Sequence, residues 1–157
     1  MSNIAALIEK YESTPAELRA MIRGMTKEQL TARPVAGKMS TLEVVAHIAD
    51  FEPVLADRMR RVAALDKPLL VVADENEFLK KLGYHNRDVE LELNLIEGTR
   101  KATAAILKSL PAEAFARQGV HSLKGLQSLE QVLTAAANHI AHHMVFIAEK
   151  KKALGIG

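Results

Sequence analysis

The chain is 157 residues long, 48 % apolar and 25 % charged, with 21 basic and 19 acidic side chains and a formal net charge of +2. That length suits one domain, residues 1–157, with a self-sufficient core, and so small a basic surplus excludes a nucleic-acid-binding surface. The lack of cysteine excludes disulfide scaffolds, thiolate metal sites, iron–sulfur clusters and a cysteine nucleophile.

The N-terminus, MSNIAALIEKYE, carries acids and helical spacing where a signal peptide needs a basic start and an apolar run. Ile4, Leu7, Ile8, Tyr11, Leu18 and Ile22 predict a first helix to about Met25, bent at Pro15. Thr26 and Gln29 resemble a capping box opening a short helical turn, and residues 33–38 read as loop. A second long helix starts at Ser40 or Thr41. Its apolar stripe runs through Val44, Ile48, Phe51, Leu55, Met59 and Val62 to about Leu65, with a kink expected at Pro53.

Residues 66–87 form a long connection with a brief apolar run at 69–72 and an acidic patch, Asp74, Glu75 and Glu77. A helical turn is expected from Glu77 to Leu82, and a connection of this length reads as a binding loop or crossover. Arg87 to Leu110 is a third helix, stopped by Pro111; a short helical turn and a Gly- and Ser-containing loop lead to a last helix from Ser128 to about Leu154. Four long helices predict an all-α four-helix bundle. The run at 69–72 is too short and isolated to compete as a strand. No stretch of about eighteen apolar residues exists to cross a membrane, so a cytoplasmic protein without membrane or nucleic-acid partners is expected.

Histidine is the residue left to carry chemistry, since phosphate-binding glycine loops, serine-hydrolase elbows and HExxH are all absent. His139 and His143 are four apart, which on a helix separates them by about 40°. Their line continues through Val132, Ala136 and Ile147 and faces the interior, whereas His142 shares a polar line and is expected to be exposed. His47 flanks the stripe of the second helix, bracketed by Glu43 and Asp50, either of which could accept its second N–H or handle a proton. Together His47, His139 and His143 would offer three nitrogens with open positions for water or substrate. The competing reading makes them hydrogen-bonded core residues. His85 and His121 read as solvated, Arg58, Arg60, Arg61 and Lys150–Lys152 as polar helix faces, and the six Met as core filler.

The segments 40–52 (STLEVVAHIADFE) and 138–147 (NHIAHHMVFI) resemble the two signature helices of the DinB/YfiT-like superfamily. The resemblance spans the chain in helix order, including the 92-residue separation of His47 and His139. It implies a four-helix bundle with a divalent metal, commonly zinc or nickel, on the positions matching His47, His139 and His143. Met39 stands about where the family often has Trp, and Pro53 follows the motif. Characterised members include thiol S-transferases using bacillithiol or glutathione and a mycothiol-dependent maleylpyruvate isomerase. The expectation is therefore a metalloenzyme that activates a low-molecular-weight thiol or water against a small-molecule substrate, with Asp50 or Glu43 as orienting or proton-transfer groups. A homodimer is implied by the same resemblance. The alternative is a non-catalytic bundle in which a metal ties helices together or a small molecule or partner protein binds.

Overall fold

The computed structural model describes residues 3–157. Its helices are α1 (Ile4–Ile22), α2 (Lys27–Thr31), α3 (Thr41–Ala64), α4 (Glu75–Lys81), α5 (Val89–Ser109) and α6 (Leu129–Ala153), with 3-10 turns at Tyr84–Asn86 and Ala112–Ala116. Local chemistry sets the starts. Thr26 with Gln29, Ser40 with Glu43 and Ser128 with Gln131 form reciprocal capping boxes, while Asp74 and Asp88 each accept two backbone N–H groups at the heads of α4 and α5. No helix is long and apolar enough to cross a membrane among the described residues.

The long helices α1, α3, α5 and α6 form the four-helix bundle, with α1 packed on α5 and α6, and α3 packed on the same two. Two apolar clusters fill it. One joins Ile8, Tyr11, Leu55, Met59, Leu107 and Leu133; the other joins Leu18, Val45, Ile48, Ile96, Ile140 and Ile147. Along α3 and α5 the buried polar residues Glu52, Arg100 and Thr103 fall between these halves. Met59 is buried, and Met21, Met25, Met39 and Met144 pack against the core; Met1 lies outside the described residues.

Arg100 is fully buried and reaches three other helices. Its guanidinium donates to the carbonyls of Tyr11 (2.9 Å) on α1 and Ala136 (2.7 Å) on α6. Its Nε lies 3.0 Å from Glu52 Oε2 on α3, an ion pair without an aligned hydrogen bond. The Tyr11 bond explains how α1 runs unbroken through Pro15. In a helix the Tyr11 carbonyl would accept from residue 15, which as proline has no N–H, and Arg100 supplies the missing donor.

The all-α bundle carries one small sheet, so the reading of 69–72 as strandless needs correction. Leu69–Leu70 (β1) pairs in parallel with Gln118–His121 (β2), which pairs antiparallel with Gly125–Ser128 (β3). Strands of two to four residues are too short to show a period, and the β1–β2 pairing joins segments some fifty residues apart. A Cβ at Gly119 would stand 2.9 Å from Val62 Cγ2 and 3.1 Å from the Leu70 side chain, so the small sheet seats against α3 only with glycine there. His121, expected in solvent, is buried, its Nδ1 accepting from the N–H groups of Leu123 and Lys124 in the β2–β3 turn. Lys150 is also buried, donating to the Phe146 carbonyl one turn back. Helix α4 begins at Glu75, two residues before the expected turn, because Asp74 caps it.

Candidate metal centre

Helical spacing places His139 and His143 on one face of α6, and α3 brings His47 across to them. The Nε2 atoms of His47 and His143 are 3.0 Å apart. Ring centroids are separated by 4.6 Å (His47–His143), 4.7 Å (His139–His143) and 5.3 Å (His47–His139). Each residue contributes one nitrogen to a group lying within 4.8 Å of one another. Ligands of one ion at about 2.0–2.1 Å stand about 3 Å apart at adjacent positions, so the shortest of these separations already matches a shared ion.

The electrostatics favour neutral rings. Burial, reinforced by the neighbouring His143 and His47, pushes His139 down to about 3, and burial with the adjacent histidines pushes His143 down to about 4. Burial also lowers His47, opposed by the charges of Glu75 and Asp50. All three are therefore unprotonated near pH 7, the state in which an imidazole nitrogen can bind a metal. The Nδ1 atoms of His139 and His143 are buried without a hydrogen-bond partner, an arrangement costly for a purely structural polar cluster. Residues present and donor chemistry thus fit a divalent ion.

The flanking residues have separable jobs. Glu43 is held by the Arg33 guanidinium and by the Ser40 N–H, which anchors the start of α3. Asp50 receives two hydrogen bonds from Arg87, at 2.6 and 2.9 Å. Because Arg87 also donates to the Leu82 carbonyl, this pair ties the end of the long connection to α3, three residues beyond His47. Neither carboxylate hydrogen-bonds His47. Asp50 acts on that ring through its field alone. His142 is exposed, meeting His143 at 5.1 Å and Phe146 at 5.2 Å edge-on, and His85 is also exposed.

Four residues near the site had no role there in the sequence reading. Phe51 stacks on His47 at 4.8 Å, and Phe78 of α4 stacks on Phe51 at 5.6 Å, laying the connection over the histidines. Glu75 Oε2 lies 4.0 Å from His47 Nε2; its only advance signal was the acidic patch in a connection of binding-loop length. Arg100 tethers the Ala136 carbonyl, one turn ahead of His139.

The comparisons agree with this architecture. A protein of Oceanobacillus iheyensis named "Putative metal-dependent hydrolase OB0782" is 26 % identical over 140 residues, covering 89 % of this chain and 81 % of its own. A Bacillus subtilis protein of the same naming, YfiT, is 26 % identical over 149 residues, covering 94 % and 84 %. The solved structure of B. subtilis YfiT, described as "a probable metal-dependent hydrolase with an unusual four-helix bundle topology", superposes with a TM-score of 0.93 at 24 % identity, covering 100 % of this chain and 91 % of that one. A DinB-like B. subtilis protein superposes at 0.66 with 17 % identity, over 97 % and 93 %. The DinB superfamily profile matches residues 10–147, which take in α3, α6 as far as Ile147 and all three converging histidines, and the chain belongs to that superfamily.

Proposed function

We propose that this protein is a metal-dependent enzyme of the hydrolase type, with His47, His139 and His143 holding one divalent ion, zinc or nickel as the family resemblance implies. The observation that carries the reading is the convergence of three neutral ring nitrogens within 4.8 Å. An ion bound by three nitrogens with positions left open makes water a strong nucleophile near neutral pH and polarises a substrate carbonyl. The chain's own residues supply the setting. Burial keeps the imidazoles unprotonated, and Phe51 and Phe78 shield His47. The Asp50–Arg87 pair holds the connection in place, while Asp50 and Glu43 act as positioning groups.

Water is the favoured nucleophile because the relatives are named as hydrolases. A low-molecular-weight thiol is the second reading. The chain has no cysteine, so any thiolate brought to the metal has to come from solution. Under both readings the proposed substrate is a small molecule and the proposed setting is the cytoplasm.

Metal-loaded protein assayed on activated esters, amides and small electrophiles, with and without glutathione or bacillithiol, separates the cases. Turnover without thiol that chelation abolishes and metal restores supports hydrolysis. Turnover only with thiol supports transfer. No turnover by the loaded protein under either condition overturns the enzymatic reading in favour of a structural or binding role.

A further inference from the structure

We infer that Glu75 is a fourth protein ligand of an ion that keeps a fifth position open for water or substrate, so that metal binding fastens the connection between α3 and α5 over the site. The inference rests on the three-histidine reading and adds to it a carboxylate from a different element. Among the acids around His47, Glu43 is held by Arg33 and Asp50 by Arg87. Within α4, Glu77 pairs with Lys80 and Lys81. Glu75 is the acid that faces a histidine of the cluster: its Oε2 lies 4.0 Å from His47 Nε2.

That separation is what two ligands of one ion can span, from about 3 Å at adjacent positions to about 4 Å at opposite ones, given bonds of about 2.0–2.2 Å. The side chain is 64 % exposed and so free to turn about its rotatable bonds as the ion arrives.

The attachment of α4 strengthens the argument. This seven-residue helix buries none of its residues. Its ring contact with the bundle is Phe78 on Phe51, the same ring that stacks on His47. Asp74 caps the helix on the N–H groups of Asn76 and Glu77, which fixes Glu75 in its first turn, on the His47 side. A short helix with so little buried surface opens readily on its own. A carboxylate–metal bond would add the missing anchor, and substrate would then enter beneath a segment ordered by the ion itself.

The test compares wild type, Glu75→Gln and His143→Ala by zinc titration against a chromophoric chelator, together with amide hydrogen exchange of residues 75–82 with and without zinc. Glu75→Gln is expected to bind zinc at least tenfold more weakly, with an unchanged thermal melt of the apo-protein. Zinc should slow exchange across α4 in wild type but not in Glu75→Gln. Equal affinity and equal protection in the two proteins would overturn the inference while leaving the three-histidine site standing, provided His143→Ala loses zinc. Failure of wild type to bind zinc would overturn both.

Discussion

The buried Arg100–Glu52 pair gives a sharp energetic prediction. Both side chains are fully buried, and Arg100 also donates to two carbonyls on other helices. Arg100→Met removes the counterion of a carboxylate that burial already pushes up and leaves the Tyr11 carbonyl, opposite Pro15, without a donor. Breaking a buried pair from one side costs about 3–5 kcal/mol, and an orphaned buried carbonyl adds about 1–2 kcal/mol. Folding free energies of ordinary domains are about 5–15 kcal/mol, so the variant should sit at the edge of folding. Arg100→Met combined with Glu52→Leu removes both charges and should recover more than half of the loss, since apolar replacement of a whole buried pair is often neutral or better. Urea denaturation of wild type, both single variants and the double variant closes the cycle. If Arg100→Met loses less than about 1 kcal/mol, or the double variant loses the sum of the singles, the pair is not the polar clamp described here.

The histidines make the apo-protein acid-sensitive. Their folded-state pKa values, about 3 for His139 and about 4 for His143, lie below the ordinary 6.5, so the unfolded chain takes up protons first on acidification. Their contribution is present above about pH 6.5 and is lost as pH falls towards 4, with a total of about 2 kcal/mol or more; a urea midpoint flat between pH 6.5 and 4.5 would contradict this. Bound metal should be retained to about pH 5 and leave as pH falls towards 4 and below, where the folded rings take up protons, visible by dialysis and elemental analysis. Gly119→Ala should cost about 1–3 kcal/mol by overpacking against Val62 and Leu70, seen as a lower Tm with metal content unchanged. His142→Ala, at an exposed position beside the cluster, should keep its metal where His143→Ala does not; equal loss in both would place the ligand set elsewhere on α6.

What the sequence made legible follows from periodicity. The stripes of α3 and α6 run for more than twenty residues, and over that length a spacing of four fixes the face on which His139 and His143 lie. Capping residues were equally readable, since Thr26, Ser40 and Ser128 act within three positions of themselves. Long-range partners were not. Nothing local to Asp50 announces Arg87, thirty-seven residues on, and that competition turns a candidate proton acceptor into a tether. Likewise β1 needs β2, and Glu75 faces His47 from a helix whose Phe78 meets Phe51, twenty-seven residues earlier. The burial of Lys150 and His121 escaped for a related reason. Each hydrogen-bonds nearby backbone groups, an arrangement that composition and hydropathy do not register.

Metal content by elemental analysis of tag-free wild type, His47→Ala, His139→Ala and His143→Ala, each confirmed folded by circular dichroism, tests the centre most directly. Three neutral nitrogens converging from α3 and α6 predict about one divalent ion per wild-type chain and its loss in every variant, with the bundle intact after chelation as expected of an open site. Full occupancy in any of the three variants, or a wild type that takes up no metal under loading, would contradict the assignment and return the histidines to the core.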